Sequence, residues 1–145
     1  MAQTFTSNYV HIVFSTKQRQ QLIKDRPKLW AYMAGIAKNI HIEPRAIGGM
    51  DDHCHLLVSF KGDLSIPEVV NLMKSNSSKW MNQHKRGFAW QSGYAAFSVS
   101  ASNVPAVVKY IVNQEEHHKK RTFDQEFIAM LKKHEVAFDE KYVFD

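Results

Sequence analysis

Residues 43–60, EPRAIGGMDDHCHLLVSF, constrain the fold more than any other stretch of the chain. Two runs of strand character stand almost end to end. Gly48-Gly49 closes the first, and Asp51 and Asp52 read as turn residues before the second. No helix fits in that gap, so the two runs pair as an antiparallel hairpin. Side chains alternate between faces along a strand. Cys54, Leu56, Val58 and Phe60 therefore share one face, and His53, His55, Leu57 and Ser59 the other. The first set can enter a core, while the second presents two imidazoles side by side.

The flanking segments repeat one plan. NYVHIVFST predicts a strand over 8–15, with Val10, Ile12 and Phe14 facing one way and Tyr9, His11 and Val13 the other. RPKLWAYMAGIAKNI carries Leu29, Met33, Ile36, Ala37 and Ile40 at helical spacing, with Pro27 in its first turn. After the hairpin, SIPEVVNLMKSNSSKWMNQH predicts a long helix. Ser65 and Glu68 form a capping box, Val69, Leu72, Met73 and Trp80 give an apolar face, and SNSS weakens the middle. GYAAFSVSAS predicts a fourth strand, about 94–100. NVPAVVKYIVNQEEHHKK then predicts one helix capped at Asn103. TFDQEFIAMLKKHE predicts a last helix, capped at Thr122 with an acidic first turn. The order β-α-β-β-α-β followed by two helices predicts an α+β fold. Its plan is the ferredoxin-like (split βαβ) four-stranded antiparallel sheet, with helices on both faces. The whole chain, residues 1–145, reads as one domain.

A formal charge of +5 tilts the chain toward polyanionic partners. Lys17 and Arg19 follow the first strand, Lys79, Lys85 and Arg86 end the second helix, and Lys119, Lys120 and Arg121 close the next. These clusters read either as solvated faces or as a track for a nucleic-acid backbone. Trp90, Tyr94 and Phe97 read either as core closure or as platforms for unpaired bases. No apolar run approaches the roughly 20 residues that cross a bilayer. With no secretory leader pattern and one cysteine, a cytoplasmic location is expected.

Two histidines in His-x-His spacing on one strand face can reach a single ion. Cys54 between them points the other way, so a His-Cys-His zinc site is disfavoured and the thiol reads as a small buried hydrophobe. Asp52 is placed to orient the second nitrogen of a ligating histidine. His11 reads as a sheet residue that could line the site, and His117 and His118 as exposed or phosphate-facing. Farther on, Tyr110 and Gln114 lie four apart on one helical face that His118 continues. Val107, Val108, Ile111 and Val112 supply its buried side. Tyrosine in a helix is structural more often than not, and spacing alone selects none of the five; the amide at Gln114 and the basic cluster beyond single out Tyr110.

DHCHLLVSF followed some fifty residues later by YIVNQ resembles the HUH endonucleases. More narrowly, the chain is similar to the single-tyrosine transposases of IS200-type insertion sequences and their REP-associated relatives. YVHIVFSTKQR, KSNSSKW and WQSGYAAFSVS extend the resemblance over nearly the whole chain. Cys54 stands where valine is more usual. The resemblance implies that His53, His55 and Gln114 hold one divalent cation, Mg²⁺ or Mn²⁺. It implies that Tyr110 attacks a phosphorus of single-stranded, hairpin-containing DNA, giving a 5′-phosphotyrosine and a free 3′-OH. Similar enzymes work as homodimers with the tyrosine helix facing the partner's histidines, although some REP-associated relatives are monomers. The competing readings are a non-catalytic module for single-stranded nucleic acid, a domesticated descendant for instance, and a zinc hydrolase, for which the sequence offers no clear third ligand.

Overall fold

The computed structural model describes residues 2–61 and 63–144. Its four strands are β1 (Tyr9–Ser15), β2 (Glu43–Met50), β3 (His53–Ser59) and β4 (Ala95–Val99). They form one antiparallel sheet in the order β2-β3-β1-β4. This is the split βαβ arrangement expected from the order of elements.

The alternation along β1 and β3 decides which helices lie where. Val10, Ile12 and Phe14 of β1 and Cys54, Leu56 and Val58 of β3 pack under α1 (Arg26–Asn39) and α2 (Ile66–His84). Cys54 is fully buried there, and desolvation pushes its thiol well above the ordinary range, so it behaves as a hydrophobe. On the opposite face Val13, Ala95 and Phe97 pack on Phe123 and Leu131 of α5 (Phe123–Lys133). Leu57 packs there on Val104 and Ile111 of α3 (Val104–Val112). Each helix on this second face comes from the chain after β4.

Capping follows the sequence at two of three predicted sites. Ser65 with Glu68 and Thr122 with Gln125 form complete capping boxes, each satisfying orphan amides at a helix start. Asn103 makes no side-chain cap; a 3-10 turn over Ala101–Asn103 leads into α3 instead. The SNSS stretch does not interrupt α2. Ser75, Asn76 and Ser77 bond back to the carbonyls of Asn71, Leu72 and Met73, which removes the competition these side chains otherwise offer to the helix.

The single helix expected over 103–120 is two. It breaks at Asn113, whose φ of −103° and ψ of 26° leave the helical region, and α4 (Gln114–His118) restarts beyond it. The Asn113 carbonyl accepts from the amides of Glu116 and His117 and so opens the new turn. Val112, expected on the buried side, is 62% exposed. Among the described residues no helix is long and apolar enough to cross a membrane.

Candidate active site

The sheet face opposite α1 and α2 carries the polar cluster. His53 and His55 are both fully buried on it. The register sets Val13 of β1 opposite His55 and Leu57 opposite His11, so His11 lies on the same face. Each histidine of the pair has its Nδ1 engaged by another side chain. His53 Nδ1 lies 2.8 Å from Asp52 Oδ1, and His55 Nδ1 lies 2.9 Å from His11 Nε2. Asp52 therefore orients His53 as the sequence suggested. Burial and the neighbouring His55 hold the His11 ring neutral, with its pKa lowered to about 3. A neutral His11 can accept a hydrogen bond at Nε2 from His55 Nδ1–H, which frees His55 Nε2 as a ligand atom.

Both Nε2 atoms point toward Glu126, a residue of α5 that is 1% exposed. Glu126 Oε1 lies 3.0 Å from His55 Nε2, 3.6 Å from His53 Nε2 and 3.4 Å from His118 Nε2. Its Oε2 accepts from Gln114 Nε2 at 3.1 Å and from the Tyr110 hydroxyl. Gln114 Oε1 faces His53 Nε2 and His118 Nε2, each at 3.0 Å. One carboxylate thus joins the histidine pair to the tyrosine. Burial alone would raise its pKa, but the hydrogen bond and charge of His55, with Tyr110 and His53, hold it far below the carboxylate range. Burial, followed by the charge of Glu126 and its hydrogen bond, pushes the Tyr110 phenol well above its ordinary value.

His53, His55 and Glu126 each offer one ligand atom, and the three atoms lie within 4.8 Å of one another. Two oriented imidazoles and a carboxylate suit a divalent transition metal, so this group can hold one. The expected set was His53, His55 and Gln114. The structure places Gln114 beside His53 and adds Glu126 as a candidate charged donor. The lack of a third ligand no longer argues against zinc. His118, expected to face outward, turns inward over the His53 ring at 4.7 Å.

The predicted DNA contacts divide. Lys17, Lys79, Lys85, Arg86, Lys119, Lys120, Arg121 and Tyr94 are exposed. Lys119, Lys120 and Arg121 line a cavity of about 460 Å³ that also reaches His118 and Asp52. Arg19 is half-buried. It pairs with Asp124 of α5 and lies 4.6 Å from the Phe144 ring. Trp90 is half-buried. Its ring meets Phe14 and Phe88 edge-on, and its Nε1 donates to the buried Ser77 Oγ at 2.9 Å. Phe97 is core.

A family model described as transposase IS200 like matches residues 4–114. Among solved structures, the chain is similar to a candidate transposase from Deinococcus radiodurans R1. The two are 26% identical over 79% of this chain and 95% of that one, with a TM-score of 0.63. It also shares its fold with a REP-associated tyrosine transposase whose structure contains a REP hairpin. Here the identity is 13% over 81% of this chain and 73% of that one, with a TM-score of 0.61. No curated protein matches the chain.

Proposed function

The chain belongs to the family of IS200-like transposases, and from that premise we propose that it cleaves and rejoins single-stranded DNA through a covalent bond to Tyr110. The carrying observation is the convergence of the Tyr110 hydroxyl and the Nε2 atoms of His53 and His55 on one buried carboxylate, Glu126. A structural tyrosine needs no such partner set.

In this reading Tyr110 Oη attacks phosphorus, and the bond from phosphorus to the 3′ oxygen breaks. Glu126 Oε2 accepts from the hydroxyl and orients it, and the phenol proton is released to solvent water. The departing 3′ oxygen takes up a proton from solvent water and leaves as a hydroxyl. Because the phosphodiester energy stays in the phosphotyrosine, attack by another strand's 3′-OH can reverse the step without ATP. His53, His55 and Glu126, with the Gln114 amide beside them, are the residues that would hold a divalent cation. Bound there, it would neutralise charge on the phosphate's non-bridging oxygens. Two nitrogen donors and a carboxylate favour Mn²⁺ over Mg²⁺, which prefers oxygen. The cavity lined by Lys119, Lys120 and Arg121 supplies a cationic approach for the strand.

The test is incubation with labelled single-stranded DNA from the gene's own flanks, with Mn²⁺, followed by denaturing electrophoresis. A protein-linked product is expected from the native chain and none from Tyr110→Phe, which keeps the ring. Unimpaired adduct formation by Tyr110→Phe would refute the assignment, and binding without any adduct would favour the non-catalytic module.

A further inference from the structure

We propose that Arg121 is a further catalytic residue of the cleavage reaction: its guanidinium holds a non-bridging oxygen of the scissile phosphate beside Tyr110. The proposal rests on the reading of the chain as cleaving single-stranded DNA. It adds to that reading a fixed positive charge supplied by the chain itself.

Two cavities open onto the polar cluster. The first, of about 460 Å³, is lined by His118 and by Asp52, the residue that orients His53. The second, of about 220 Å³, is lined by Tyr110 and by His11, the partner of His55. A phosphate within reach of both the histidine pair and the attacking oxygen has to lie where these cavities meet. Among the described residues Arg121 alone lines both.

The cations around it are placed otherwise. Lys119 pairs with Glu116 at 2.9 Å. Lys120 lines only the first cavity, and Lys133, at the far end of α5, only the second. Arg121 is exposed and forms no ion pair among the described residues. Its backbone is anchored. The Arg121 amide donates to the His117 carbonyl at 3.1 Å, and the next residue, Thr122, caps α5. The guanidinium therefore springs from a tied turn between His118 and Glu126, the two sides of the cluster.

Charge balance calls for such a group. The Tyr110 hydroxyl bonds to the Glu126 carboxylate, whose charge opposes both loss of the phenol proton and approach of a phosphate. The charge of Arg121 acts on the phenol in the opposite sense. As the bond from Tyr110 Oη to phosphorus forms and the bond to the 3′ oxygen breaks, the non-bridging oxygens keep their negative charge. The phenol proton goes to solvent water, and solvent water supplies the proton of the 3′-OH. A guanidinium stays charged throughout and donates along fixed directions. Val99, Val107, Ala129 and Met130 complete the wall of the second cavity. An apolar wall strengthens a charge-assisted bond made against it.

The experiment follows single-turnover adduct formation with Mn²⁺ while the concentration of labelled single-stranded DNA from the gene's own flanks is varied. Arg121→Gln should lower the maximal rate about 10²–10³-fold, the usual cost of removing one donor to a developing oxyanion. Its Mn²⁺ affinity, read by calorimetry, should not fall. Arg121→Lys should recover part of the rate. Lys120→Gln should act instead on the DNA concentration that gives half the maximal rate. A second measurement places a methylphosphonate at the scissile position, so that each isomer has a methyl in place of one non-bridging oxygen. In the isomer that lacks the clamped oxygen, the native chain and Arg121→Gln should react at similar rates. A native maximal rate in Arg121→Gln, or a rate loss that persists in full in both isomers, would overturn the proposal. So would a fall in Mn²⁺ affinity that matches the rate loss. A native adduct with Arg121→Gln unimpaired sinks this proposal alone, whereas no adduct from the native chain sinks the cleavage reading with it.

Discussion

Glu126 joins the imidazole pair to the phenol through two oxygens with separate tasks. Oε1 faces the imidazoles and Oε2 the phenol. Replacing it by glutamine keeps the shape but removes the charge and one acceptor. Glu126→Gln should therefore lose Mn²⁺ affinity by more than tenfold, read by calorimetry, and lose adduct formation with it. Retained Mn²⁺ affinity would return the charged role to other groups. The supporting shell makes a milder test. Asp52→Asn removes the carboxylate that orients His53 Nδ1, and such partners are typically worth 10–100-fold in metal affinity. The structure gathers the expected His53, His55, Tyr110, Gln114 and Asp52 into one cluster; the histidine pair stood out by its spacing, and Tyr110 by the Gln114 amide and the basic cluster beyond it. Glu126 did not. It lies 71 residues from His55, and an acid in a first helical turn reads as an ordinary complement to the helix dipole. Only the packing of α5 on the second sheet face turns it inward, and that packing is a tertiary fact. His118 continues the face of Gln114, as its spacing suggested, and meets the Gln114 amide oxygen.

At the scale of elements, the placement of α3 rests on a glycine. A side chain at Gly48 would run into the Ile111 carbonyl oxygen and lie 3.1 Å from Ile111 Cγ2. The sequence marks Gly48-Gly49 as the end of a strand, which is half of the reason for the pair. Gly49, at a φ of 152°, serves the hairpin, while Gly48 lets the tyrosine helix lie directly on β2. Gly48→Ala should push α3 outward and cost about 1–3 kcal/mol, the usual range for overpacking, read by chemical denaturation. Because Tyr110 rides on α3, adduct formation should fall in the folded fraction as well. Full activity in a destabilised Gly48→Ala would mean that the position of α3 is not critical. The elements themselves were legible because the period-two and helical patterns were clean and the turn residues stood between them. The break at Asn113 was not, since the apolar and polar spacing of 103–120 runs through it. Beyond the break Gln114 is 2% exposed and meets His53 and His118.

Across the whole molecule the sheet separates two kinds of work. One face is closed by α1 and α2; the other carries the buried polar cluster under α3 and α5. The short connection after β4 allows the tyrosine helix to lean either on its own sheet or on a neighbour's, the second being what the sequence resemblance implied. In this chain α3 packs on Leu57 of its own sheet, and the Tyr110 hydroxyl and the His55 Nε2 share the carboxylate of one Glu126. A site assembled within one chain predicts a specific result when two defective variants are mixed. His53→Ala retains its tyrosine and Tyr110→Phe retains its histidines. If each site belongs to one chain, every site in the mixture keeps a defect whether or not the chains associate, and no adduct forms. If the tyrosine helix instead crosses to a partner, half of the sites in each mixed dimer would combine an intact pair with an intact tyrosine. An inactive mixture is the expected outcome, with association measured separately by light scattering. Recovery of the adduct would show that α3 leaves its own sheet during the reaction, and would make the bond from Tyr110 to Glu126 a resting contact.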